Sequence, residues 1–264
     1  MTTRSMIGIS VVLFGFYLGL ATPAAAAAAK CPADSVKVGT VCVDKFEASV
    51  WETANAALIK KIKAGTVTEA QLLAGGAIQR GVSSDDYPCN NDGNDCTTIY
   101  AVSITGVTPS AFMTWFQAQQ AAANSGKRLL TNAEWQMAAA GTPDPGVSAA
   151  GSQDCNTQNG GGAGVDAVVD TGSRSNCVSR FGVFDMVGNL WEWVADWVPR
   201  STTCVTALFA GDLNCLAGAD TTAGPGALIR GGDFGFGAGA GVFAVLGADE
   251  PSFSTRDFGF RGGR

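Results

Sequence analysis

The chain has 264 residues, 46% of them hydrophobic and only 15% charged, which is material for one large core or two small ones and not the composition of disorder. Its 17 Lys and Arg are scattered among 23 Asp and Glu for a net charge of -6, which excludes the concentrated basic patch that nucleic-acid binding needs. It contains no histidine, which removes Ser/His/Asp and Cys/His nucleophile systems, histidine-ligated metals and histidine-based proton transfer.

Residues 1–29 open with MTTR, an apolar run from Ile7 to Leu20 and an alanine-rich tract up to Lys30. That order reads as a secretory signal peptide, with an apolar run too short to span a bilayer comfortably; a retained membrane anchor is the alternative. The reading implies an exported mature chain, periplasmic, cell-surface or secreted, that does not span the membrane once cleaved. The eight cysteines fall as near neighbours, Cys31 with Cys42, Cys89 with Cys96, Cys155 with Cys177 and Cys204 with Cys215. In an oxidising compartment they predict four local disulfides, each contributing about 2 to 4 kcal/mol. The spacings contain no CxxC pair, which argues against a thiolate zinc site.

Lys37 to Trp51 alternates β-branched and aromatic residues and reads as an opening strand pair; Glu52 to Ala77 reads as helical or mixed. Asp85 to Asp95 is a loop that matches no EF-hand spacing and fits a disulfide-closed turn better than a calcium loop. Thr108 and Pro109 are read as opening a helix with Phe112, Trp115, Phe116 and Gln119 on one face, stopped by Gly126. A second helix starts at a Thr131/Glu134 capping box and ends at Gly141. Trp115 and Trp135 are expected in the core, and the polar segment from Thr142 to Ser179 on the surface. The whole predicts one α+β domain over 31–264, with two main helices, short antiparallel strands and much irregular structure.

Four motifs in order, KRLLTNAEWQMAAAG, FGVFDMVGNLWEWVADW, LIRGGDF and GFRGGR, resemble the formylglycine-generating enzyme (sulfatase-modifying factor) family from about Val43 onwards. The resemblance implies a low-regularity variant of the C-type lectin fold. It also implies a structural calcium ion bound by the side chains of Asp185 and Glu192 and the carbonyls of Gly188 and Leu190. The alternative is that the two acids only cap backbone amides around buried Trp191 and Trp193. Catalysis in that family uses copper(I) held by a cysteine pair between the RGG and GFR motifs. No cysteine follows Cys215 here, and Gly262 stands where the family has one after GFR. No copper and no oxidase activity are therefore expected.

A fixed RGG end, a fixed GFR end and a miscellaneous middle also resemble the variable proteins of diversity-generating retroelements, whose C-terminal ligand-binding surface is rewritten by adenine-specific copying. On that resemblance residues 230–264 form the variable region. Its candidate ligand-binding positions are Asp233, Gly235, Phe236, Gly239, Leu246, Ala248, Asp249, Phe253, Thr255, Arg256 and Asp257, facing a protein or cell-surface ligand. Glu250 would be framework, and Val242, Phe243 and Phe260 are expected to be buried. Phe236 and Phe253 as ordinary core residues are the alternative. The implied function is an exported, non-catalytic ligand-binding protein; the alternatives are a sulfatase-modifying oxidase with displaced ligands and an envelope protein with a fixed partner.

Overall fold

In a computed structural model of the chain, Thr131 accepts a hydrogen bond from the Glu134 amide at 3.2 Å, and the Glu134 carboxylate accepts one from the Thr131 amide at 2.9 Å. This reciprocal cap starts the helix Asn132–Ala138 where the sequence places it. The helix stops short of the expected Gly141, with Ala139 as its C-cap. The structure describes Met1 and residues 30–158, 167–206 and 209–264. The predicted signal peptide lies outside the described residues, apart from Met1.

The earlier helix begins at Trp115, not Thr108, and runs to Asn124. A second capping box, Thr114 with Gln117, sets its start. Phe112, expected on its apolar face, has a φ of 56°, which no helix residue adopts. Its amide donates instead to the Thr255 carbonyl at 2.9 Å. Trp135 is core as expected, whereas Trp115 is half-buried, edge-on to Trp197 at 5.1 Å. Glu52 to Ala77, read as helical or mixed, contains two further short helices, Ala56–Lys63 and Glu69–Ala74, beside the two expected main ones.

The strands form three sheets. The expected opening pair is three strands, Ser35–Val38 paired antiparallel with Val41–Asp44, and Ser49–Glu52 in a separate sheet between Ile78–Arg80 and Ile99–Val102. The largest sheet is built on two strands longer than expected, Trp191–Arg200 and Asp220–Arg230, antiparallel to each other. Not every pairing is antiparallel: Phe258–Phe260 runs parallel to Trp191–Arg200, with Phe258 opposite Trp191 and Phe260 opposite Trp193. These aromatics pack with Ile229, Met113 and Leu129 in the main core. The segment Thr142 to Ser179 is not simply surface. Cys155, Thr157, Thr171 and Cys177 are closed to solvent, because the Asn156 and Val169 backbones are tied to Asn189. Among the described residues no helix is long and apolar enough to cross a membrane.

Candidate functional site

The RGG and GFR ends of the last segment are held by buried arginines. Strand Asp220–Arg230 delivers Arg230, whose guanidinium donates to the Ala244 backbone carbonyl and to the Gln136 side-chain oxygen and lies 4.5 Å over the Trp135 ring. Burial pushes its pKa down to about 10, so it stays charged at neutral pH. The chain then reverses at Gly231 and Gly232, with φ of 93° and 82°; at Gly232 a Cβ would lie 2.5 Å from the Ala240 Cα, so the two glycines of RGG answer to this turn and this close approach. At the other end, Arg261 is fully buried. It donates from Nε to both Glu192 oxygens at 2.9 and 2.8 Å and from Nη2 to the Phe184 carbonyl at 2.9 Å.

Between these ends the candidate positions divide. Phe253 and Arg256 are exposed, and Gly235, Phe236, Gly239, Leu246, Ala248, Asp249, Thr255 and Asp257 are partly exposed. Asp233 is buried, its carboxylate accepting from the Gly235 amide at 2.6 Å. Burial, reinforced by the neighbouring Asp257 carboxylate, pushes the Asp233 pKa up to about 7. Phe236 packs edge-to-face with Trp191 at 5.2 Å and Phe253 with Phe258 at 5.5 Å, so each touches a buried aromatic while part of it reaches solvent. Glu250 pairs with Arg200 at 2.8 Å.

Two framework expectations fail. Phe260 is buried, but Phe243 is 43% exposed and Val242 is half-buried. The cause is non-local. Arg230 takes the Val242 and Ala244 carbonyls, and the Phe243 amide donates to Asp212 Oδ2 at 2.7 Å, which turns the Phe243 ring outward against Phe209.

The turn Asp185–Leu190 is shaped by left-handed residues at Asp185, Gly188 and Asn189, and a Cβ at Gly188 would fall 2.1 Å from the Asn156 carbonyl oxygen. Asp185 accepts from the Gly172 amide at 2.8 Å, and burial raises its pKa to about 6. A carboxylate has about four lone-pair directions. Glu192 receives two contacts from Arg261 Nε, one from its Nη2 at 2.5 Å and one from Trp135 Nε1 at 2.8 Å. The residues present therefore do not fit a calcium ion at Glu192: the positive charge beside this carboxylate is the guanidinium. Nor does Glu192 only cap backbone amides, since its partners are side chains.

Glu47, which no sequence pattern singled out, completes this interior. It accepts from Asn189 Nδ2 at 2.5 Å and the Leu190 amide at 3.0 Å, and burial followed by the charges of Asp185 and Glu192 raises its pKa well above the usual range. The only local hint was an acid set between Phe46 and Ala48 in a strand-like run.

All eight cysteines pair as expected, Cys31–Cys42, Cys89–Cys96, Cys155–Cys177 and Cys204–Cys215, and no free cysteine remains. The profile of the Sulfatase-modifying factor enzyme 1-like domain matches residues 40–263. The chain belongs to this family. This sulfatase-modifying-factor domain has the family's α+β, C-type lectin-like fold. The Formylglycine-generating enzyme of Thermomonospora curvata is 33% identical to it over 105 residues, 34% of this chain and 33% of that enzyme. Among solved structures, the Major Tropism Determinant I1 Variant aligns with a TM-score of 0.48 and 19% identity over 88% of this chain and 52% of that one. Treponema denticola variable protein 1 aligns with a TM-score of 0.40 and 16% identity over 87% of this chain and 97% of that one. The domain thus spans about a third of the curated relative and about half of the tropism determinant.

Proposed function

We propose that this sulfatase-modifying-factor domain is an exported, non-catalytic binding protein whose C-terminal face, residues 230–264, is diversified by a retroelement to engage a protein or cell-surface ligand. The observation that carries the reading is the division within that segment. Arg230, Phe258, Phe260 and Arg261 are buried in the core, while the candidate positions between them, Asp233 excepted, reach solvent in whole or part. A scaffold of this kind tolerates rewriting of side chains without loss of its core.

The oxidase alternative requires a thiolate pair for copper(I), and the cysteines are all committed to disulfides upstream of the segment. The test of diversification is the DNA flanking the gene. A reverse-transcriptase gene and a near-copy of the 3′ end, differing from it at adenines, are expected. A flank with neither would remove the retroelement from the proposal.

A further inference from the structure

A cavity of about 340 Å³ opens where the C-terminal segment meets three earlier loops. That size is within the range of small-ligand sites. Its walls are mostly apolar, formed by Val82, Pro109, Phe112, Val168 and Phe234, with Arg256 at the margin. Most of this lining is supplied by residues outside 230–264, so the pocket has fixed walls and one cationic candidate position.

Three features make it a built pocket. Phe234 is buried against Ala111 and Leu190, and its amide donates to the Asn189 carbonyl at 3.0 Å. Phe112 holds a left-handed φ of 56°, unusual for a bulky side chain, and is stitched by its amide to Thr255, the neighbour of Arg256. The Arg256 guanidinium carbon lies 5.3 Å from the Phe234 ring centroid. Among the described residues Arg256 pairs with no carboxylate. Acids beside the lining residues have partners of their own: Asp86 accepts from the amides of Gly81, Val82 and Ser83, Asp170 from the Thr108 hydroxyl, Asp257 from the Thr255 hydroxyl and Asp233 from the Gly235 amide.

A guanidinium with no carboxylate partner among the described residues, beside an apolar cavity, selects an occupant with an apolar body and an anionic group. We propose that this pocket receives a segment of a protein ligand that presents an aromatic or branched apolar side chain beside a carboxylate. The inference rests on the binding-protein reading and narrows it: the apolar group fills the cavity between Phe112, Val168 and Phe234, and the carboxylate meets Arg256 in a forked hydrogen bond. It also makes the fixed loops part of the recognition surface.

The test is a titration of the mature chain, followed by NMR, with the peptides N-acetyl-Phe-Asp-amide and N-acetyl-Phe-Asn-amide and with 3-phenylpropionate. The Asp peptide is expected to shift the resonances of Phe112, Val168 and Phe234 and to bind about tenfold more tightly than the Asn peptide, the size of one charge-assisted bond. Arg256→Gln, at an exposed position, should erase that difference at unchanged melting temperature, and Val82→Glu at the apolar rim should weaken both peptides. Equal affinity for the two peptides, shifts elsewhere or no binding would overturn the proposal. Tighter binding of 3-phenylpropionate than of the Asp peptide would replace the protein segment with a free small acid. These outcomes are separate from those of the flanking-DNA test, so failure of the pocket proposal is distinguishable from failure of diversification.

Discussion

Arg261 Nε stands 2.9 and 2.8 Å from the two carboxylate oxygens of Glu192, in a pair closed to solvent. Removing one partner strands the other charge in the core, which typically costs about 3 to 5 kcal/mol. Arg261→Met and Glu192→Gln should each destabilise on this scale in denaturant melts, and the double variant should lose less than the sum. Because the guanidinium already satisfies Glu192, Glu192→Gln should lower the melting temperature equally in calcium and in chelator. A loss confined to calcium would restore the metal at this position.

The candidate face and the frame should separate by energy. Phe253→Ser and Arg256→Ser remove exposed side chains and should each cost less than about 1 kcal/mol. Phe260→Ala removes a fully buried ring beside Trp193 and should cost about 3 to 5 kcal/mol. Phe243→Ser now belongs with the mild set, since its ring faces out. Urea melts of these variants check the ordering.

Incubated with copper(I) and a cysteine-containing sulfatase peptide, the mature protein should give no formylglycine, read as the mass of the peptide. Thiol titration of the denatured, unreduced protein should find no free cysteine. Product at turnover would establish an oxidase with ligands drawn from what are here disulfides.

Stability should fall as pH rises from about 4 to about 8. Asp233 and Asp185 have folded pKa values of about 7 and about 6, above their usual 3.8. The folded state therefore keeps protons that the unfolded chain has released, and the contribution, complete below about pH 4, disappears as pH passes through the folded values. Glu134 has the opposite sign, held down at about 2 by Arg128, so its effect lies in a more acidic window. Asp233→Asn should flatten the upper part of the profile of melting temperature against pH. An unchanged slope would mean that Asp233 is ionised in the folded protein.

Local signals were the readable part of this fold. The Thr131/Glu134 box carries its information within three residues, and the cysteine pairs carry theirs within 7 to 22. Thr108–Pro109 misled because it looks like a helix start, while Thr114 with Gln117 made the true cap, and the choice depended on Phe112 binding Thr255 across the fold. The orientation of Phe243 was equally hidden, since it depends on Asp212, 31 residues away. Likewise the Arg261 partner lies 69 residues upstream, and neither GFR nor WEW alone says that one neutralises the other.

The strand Gly262–Gly263 lies between two earlier strands, Gly263 opposite Val43 on one side and Gly262 opposite Leu129 on the other. Any event upstream that shifts the reading frame deletes the centre of that sheet and, with Arg261, the counter-charge of Glu192. Such products cannot close the fold, however suitable their new side chains. The architecture therefore makes the length of the segment from Asp233 to Asp257 a structural requirement: side chains can be exchanged there, but Gly262 and Gly263 have to arrive in register.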